Sequence, residues 1–112
     1  RDARAKTRYA YIAKEILHLE GNTEDELVAA LVQKIRDIND SLDVPQGIKN
    51  YGEGGTKAET SIIDEKEFFE KAPEAARPAI EDACTLSNPR KPTQEEMEQL
   101  LKCVYFDLPV EF

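Results

Sequence analysis

The sequence predicts an all-α fold, a small orthogonal or antiparallel bundle of four to five helices. Three observations predict it. Apolar residues recur at three- and four-residue spacing through four long stretches. Three of those stretches open on Thr or Asp with Glu three residues later, at Thr23/Glu26, Asp64/Glu67 and Thr93/Glu96. No segment alternates as a half-buried strand would.

The first helix is expected over Ala5 to Leu19, with Tyr9, Ile12, Ala13, Ile16 and Leu17 on its apolar face. Gly21 is placed to end it as a left-handed cap. Thr23 opens the second helix, where Glu24 and Asp25 suit the positive end of the helix dipole. Leu27, Val28, Leu31, Ile35, Ile38 and Leu42 give it the strongest amphipathic face in the chain, so it is expected to be the central helix. Pro45 and Gly47 stop it. The segment 46–63 is polar and glycine-rich and is expected to be a flexible loop or insert.

Asp64 opens the third helix, which carries Phe68, Phe69 and Ala72. Pro73 suits a first helical position, so a break is expected there, with Pro78 kinking or opening the next helical segment. Ala75, Ala76, Ala79 and Ala83 mark a surface for close backbone approach. Ser87-Asn88-Pro89-Arg90-Lys91-Pro92 breaks the pattern, because each proline disfavours helix in the residue before it. Thr93 and Glu96 then cap a last helix with Met97, Leu100, Leu101 and Val104 on one face. Phe106 to Phe112, with Pro109, reads as an extended tail.

At 112 residues the chain is read as one domain, 1–112, with a single modest core. Hydrophobic residues make up 40% and charged residues 34%, which suits a globular chain rather than a disordered one. Fifteen basic residues against 23 acidic ones leave a net charge of −8, which argues against a nucleic-acid partner. No apolar run is long enough to cross a bilayer, and no signal-peptide pattern opens the chain. Cys84 and Cys103 are too few for a disulfide framework, so reduced thiols and a cytoplasmic location are expected. The chain opens on Arg1 rather than Met, which leads us to expect a piece of a longer polypeptide.

Several motif-like stretches carry no chemistry. Gly52-Glu53-Gly54-Gly55-Thr56-Lys57 lacks the spacing of a phosphate loop and follows no strand. Asp37, Asn39 and Ser41 alternate like a calcium loop but have Leu42 and Ile48 where Gly and Glu are required. His18 is the single histidine and suits a helix C-terminus electrostatically; it has no partner for nucleophilic catalysis. No catalytic, cofactor-binding or metal-ligating residue is therefore expected in this chain.

Cys84-Thr85, then Asn88-Pro89-Arg90, then a short capped helix ending in an aromatic, resembles the C-terminus of iron-containing alcohol dehydrogenases. The likeness is greatest to the alcohol-dehydrogenase half of bifunctional aldehyde-alcohol dehydrogenases. Arg8-Tyr9-Ala10-Tyr11-Ile12-Ala13, Gly21-Asn22-Thr23, and Leu42-Asp43-Val44-Pro45 with Ile48-Lys49 resemble successive landmarks of that family in the same order. Only about Glu53 to Ile63, where the chain carries extra residues, falls outside it.

The resemblance implies the C-terminal part of a dehydroquinate synthase-like helical domain. In the parent enzyme it implies iron and NAD, hydride transfer between the nicotinamide and a short-chain aldehyde or alcohol (acetaldehyde and ethanol interconverting), and a homo-oligomer. The family's metal ligands and nucleotide-binding portion lie upstream of this sequence, so this piece alone is expected to be inactive. Cys84 is then similar in placement to a cysteine that lines the cleft near nicotinamide and substrate. A buried small hydrophobe is the other reading of the same thiol. Cys103 reads as core or near-core. Asn88, Pro89 and Arg90 would position the loop, Arg90 by offering its guanidinium to a carboxylate or to carbonyls, or else it is an ordinary exposed arginine. The alternative function is a non-catalytic acidic helical module that binds a partner helix.

Overall fold

The computed structural model describes residues 2–112. Four α-helices carry the all-α fold, and among the described residues no strand forms, only a bridge between Tyr51 and Lys57. The chain divides after Leu42 into two units.

In the first unit, α1 (Ala3–Tyr11) begins earlier than its apolar spacing suggests, because the Asp2 carboxylate accepts the Ala5 N–H at 3.0 Å and caps it. The α-helix expected to reach Leu19 ends at Tyr11 and gives way to a π-helical turn over Ile12–Ile16. The Leu17 N–H donates to the Ile12 carbonyl at 3.0 Å, and the Leu19 N–H to that of Ala13 at 2.9 Å. The left-handed residue expected at Gly21 is His18, with φ 53°. The wide turn has closed the helix three residues before the glycine. Gly21 is small for a different reason: a Cβ there would lie 3.0 Å from the Leu27 Cγ.

Thr23 caps α2 (Glu24–Ser41), its hydroxyl accepting the Glu26 N–H at 3.2 Å. The Glu26 carboxylate takes the Asn22 N–H at 2.7 Å, one residue before the place a capping box predicts. Ala10, Ala13 and Leu27 are buried where the helices meet, with Leu19, Val28 and Leu31 around them. The alanines bring the two backbones close. The expected face of α2 is only half used, since Ile35, Ile38 and Leu42 are exposed, Leu42 to 67%. The contacts fall at the start of α2: Lys6 pairs with Asp25 at 2.6 Å, and Ala10 and Ala13 meet Leu27.

The second unit is Asp43–Phe112. Asp43 turns the chain out of α2 in the left-handed region at φ 58°. Segment 46–63 is tied by its own hydrogen bonds: Gly52 N–H to Thr56 O at 2.8 Å, Ala58 N–H to Asn50 O at 2.9 Å, and Ile62 N–H to Tyr51 O at 2.9 Å. The Asn50 amide returns the bond to Ala58 O at 2.9 Å.

Asp64 caps α3 (Glu65–Glu81), accepting the Glu67 N–H at 2.8 Å. The break expected at Pro73 is absent, and α3 runs unbroken through Pro73 and Pro78. Each proline removes one helical donor, a cost of about 3 kcal/mol, but packing holds the helix on both sides of the first. Phe68 and Phe69 lie against the Tyr105 ring at 4.9 and 5.1 Å, and Ala72 and Ala76 are buried. The Pro73 carbonyl also accepts from the Gln94 side chain at 3.1 Å. The close-approach surface is therefore Ala72 and Ala76, while Ala75 and Ala83 are exposed.

Candidate functional site

The stretch on which the sequence concentrates its chemistry is the connection from α3 to α4 (Gln94–Phe106). Beyond Glu81 the backbone leaves the helix at Asp82. The Asp82 carboxylate accepts the Cys84 N–H at 2.7 Å, and the Thr85 hydroxyl donates back to the Ala79 carbonyl at 2.6 Å. A short 3₁₀ turn, Thr85–Ser87, comes next, with the Ser87 hydroxyl on the Cys84 carbonyl at 2.7 Å. The Thr85 bond satisfies a carbonyl in the last turn of α3, where the ended helix no longer supplies every donor.

Cys84 stands exposed in this turn, so the reading of it as a buried hydrophobe does not hold here. Cys103 is half-buried on α4, with Sγ 3.5 Å from the Pro109 carbonyl oxygen. Asn88 leads out of the turn in extended backbone, and its N–H reaches Thr85 O at 3.2 Å.

Arg90 finds the carboxylate that its guanidinium suits: Nη2 pairs with Glu96 Oε1. Glu96 carries a second load, because its Oε2 accepts the Thr93 N–H at 2.9 Å while the Thr93 hydroxyl accepts the Glu96 N–H at 3.2 Å. The predicted capping box is therefore complete. The Thr93 N–H first, and Arg90 second, hold the Glu96 carboxyl below the ordinary glutamate range. Arg90 also lies over the Phe112 ring, 5.9 Å from its centroid. No sequence spacing links residues 90 and 112, so the sequence does not announce this contact.

A cavity of about 420 Å³ opens elsewhere in the second unit, between α3, α4 and the Ile62–Ile63 segment. Phe68, Ala72 and Leu101 floor it and the Lys71 ammonium, paired with Glu67, stands at its rim. That hydrogen bond to Glu67 raises the Lys71 pKa. Neither Cys84 nor Asn88–Arg90 lines this cavity.

Over residues 1–105 the chain matches the C-terminal region of the Fe-containing alcohol dehydrogenase family. The chain belongs to the iron-containing alcohol dehydrogenase family. It is 40% identical over 105 residues to an NADPH-dependent butanol dehydrogenase of Clostridium saccharobutylicum, covering 94% of this chain and 24% of that protein. To an aldehyde-alcohol dehydrogenase of Clostridium acetobutylicum it is 32% identical over 83% of this chain and 10% of the relative. An alcohol dehydrogenase of Thermococcus barophilus matches at 32% over 92% of this chain and 22% of its own length. The chain thus spans a quarter or less of these relatives.

A family of this name implies iron, and the donor set of this chain does not suit it. His18 is the single histidine, it is exposed, and no three His, Cys, Asp or Glu side chains converge among the described residues. The glycine-rich stretch 52–57 likewise forms a self-bonded turn rather than a phosphate cradle at a helix N-terminus. Among the described residues no helix is long and apolar enough to cross a membrane.

Proposed function

We propose that this chain is a C-terminal helical part of an iron-dependent alcohol dehydrogenase whose metal and nucleotide sites are supplied by the rest of the same polypeptide. The observation that carries the reading is the family match over residues 1–105, set beside a share of only 24% of the butanol dehydrogenase. The parent oxidises a short primary alcohol by passing hydride to a nicotinamide dinucleotide, the hydroxyl proton leaving to solvent. The resemblance favours NAD and ethanol, and the likeness to an NADPH-dependent butanol dehydrogenase favours NADPH and butanol. The parent works as a cytoplasmic homo-oligomer, and this chain alone is inert.

Within that enzyme Cys84 lines the cleft near the nicotinamide and substrate, and Asn88, Pro89 and Arg90 hold its loop in place. The exposure of the thiol supports this, since a side chain at a cleft wall must not be buried in its own domain. The exposed Val32, Ile35, Ile38 and Leu42 would suit the alternative of a partner-binding helical module equally well.

The test is turnover by the complete polypeptide with Cys84→Phe. A bulkier side chain at the cleft wall should lower kcat/KM for butanol more than for ethanol. An unchanged ratio removes Cys84 from the cleft. If the complete polypeptide oxidises no alcohol with either dinucleotide and added iron, the binding module takes the place of the dehydrogenase.

A further inference from the structure

The segment after α4 returns along that helix and ends on the loop that carries Cys84. Its turn is built at Asp107, which adopts φ 58° and donates its N–H to the Cys103 carbonyl. The Leu108 N–H reaches the same oxygen at 2.9 Å, and the Pro109 carbonyl lies 3.5 Å from the Cys103 sulfur. Three residues later the Phe112 ring, half-buried, stands under the Arg90 guanidinium at 5.9 Å.

Arg90 faces a second partner at the other end of the helix. Its pairing with Glu96 joins it to the carboxylate that also closes the first turn of α4 through Thr93. The start of α4, Arg90, Phe112, Pro109 and the end of α4 thus form a closed circuit of contacts. The loop needs such a tie. Pro89 and Pro92 have no N–H to donate, so the backbone between Asn88 and Thr93 has fewer ways to fasten itself than an ordinary loop.

We propose that segment 107–112 is a strap, in which Phe112 holds Arg90 by a cation–π contact and so positions the Cys84–Arg90 loop. Both are positioning residues. The ring orients the planar guanidinium toward Glu96, which a lysine ammonium would not need and could not exploit in the same way. The bearing of the strap on catalysis rests on the proposed place of Cys84 in the cleft wall, but the strap itself does not.

The experiment is amide hydrogen exchange of the complete polypeptide, without alcohol or dinucleotide, with Phe112→Leu, Phe112→Trp and Arg90→Lys. Leucine keeps apolar bulk and removes the ring. It should speed exchange of the Cys84, Thr85, Leu86, Ser87 and Asn88 amides about two- to fivefold, the range that one exposed cation–π contact supports. Arg90→Lys should speed the same amides, and Phe112→Trp should leave them at or below the original rate. The Arg90 Cδ protons should show an upfield ring-current shift that Phe112→Leu abolishes. Loop exchange unchanged in Phe112→Leu overturns the strap, and so does equal acceleration in Phe112→Trp. Because exchange is read without alcohol or dinucleotide, the strap and the dehydrogenase reading fail separately.

Discussion

Tyr105 is the side chain on which the second unit turns, and its removal in steps separates what the ring does from what the hydroxyl does. It is 3% exposed and meets Phe68 and Phe69 of α3 at 4.9 and 5.1 Å and Phe106 at 4.9 Å. Its hydroxyl lies 3.4 Å from the Ile63 carbonyl, long for an O–H···O bond. Burial first, then the Glu65 and Asp64 charges, raises the pKa of that phenol. Tyr105→Phe should therefore cost under about 1 kcal/mol. Tyr105→Leu keeps apolar volume and forfeits two ring pairs across the α3–α4 contact, at about 0.5–1.5 kcal/mol each, so roughly 1–3 kcal/mol in all. Tyr105→Ala adds the cavity, for about 3–5 kcal/mol. The assay is urea unfolding monitored by far-UV circular dichroism, because the chain contains no tryptophan. A Tyr105→Phe loss as large as that of Tyr105→Ala would overturn this division and put the stabilisation in the hydroxyl.

Thr93→Ala should cost about 1 kcal/mol by freeing the Glu96 N–H at the start of α4, read as faster exchange of the Gln94 to Glu96 amides. The Glu96 carboxyl is depressed in the folded chain, so what it contributes is complete above the unfolded value of 4.5 and is lost as pH falls below that through the folded pKa. A carbon-detected titration of Glu96 should show its midpoint under 4.5, and a midpoint at or above 4.5 would break the link to Thr93 and Arg90. Gly47→Ala should be strongly destabilising, since its Cβ would lie 2.9 Å from the Tyr105 carbonyl oxygen and 3.0 Å from the Asp107 nitrogen, both backbone atoms. A thermal melt of Gly47→Ala that matches the original would show that the two backbones leave room for a methyl group.

The caps were legible because they are local. Thr23, Asp64 and Thr93 each announce themselves by one side chain and a glutamate three residues on, and each accepts the bond expected of it. Arg90 was legible as far as its need for a carboxylate. What failed was everything decided by packing. Pro73 reads as a break until Tyr105 is seen against Phe68 and Phe69. The π-helical turn at Ile12–Ile16 has no local marker, and it moves the left-handed residue from Gly21 to His18. The face of α2 is amphipathic over its whole length, but sequence spacing does not say how much of it a neighbour covers. The Phe112 contact with Arg90 joins distant residues through a reversal at Asp107, a residue type that tolerates the left-handed region without requiring it.

Among the described residues the buried apolar side chains are Ala10, Ala13 and Leu27 in the first unit and Ala72, Ala76 and Tyr105 in the second, and four of the six are alanine. A seam of that kind fixes geometry, because it sets how near two helix axes come, yet it hides little hydrocarbon. Heat capacity and denaturant sensitivity both scale with the hydrocarbon uncovered on unfolding. The isolated chain should therefore melt with a heat-capacity increment below the usual figure of about 12–15 cal/mol/K per residue, and with a correspondingly shallow slope in urea. Its stability curve against temperature would be flat as well as low. Such a chain holds its helices in register while depending on whatever covers Ile35, Ile38 and Leu42 for its resistance to heat.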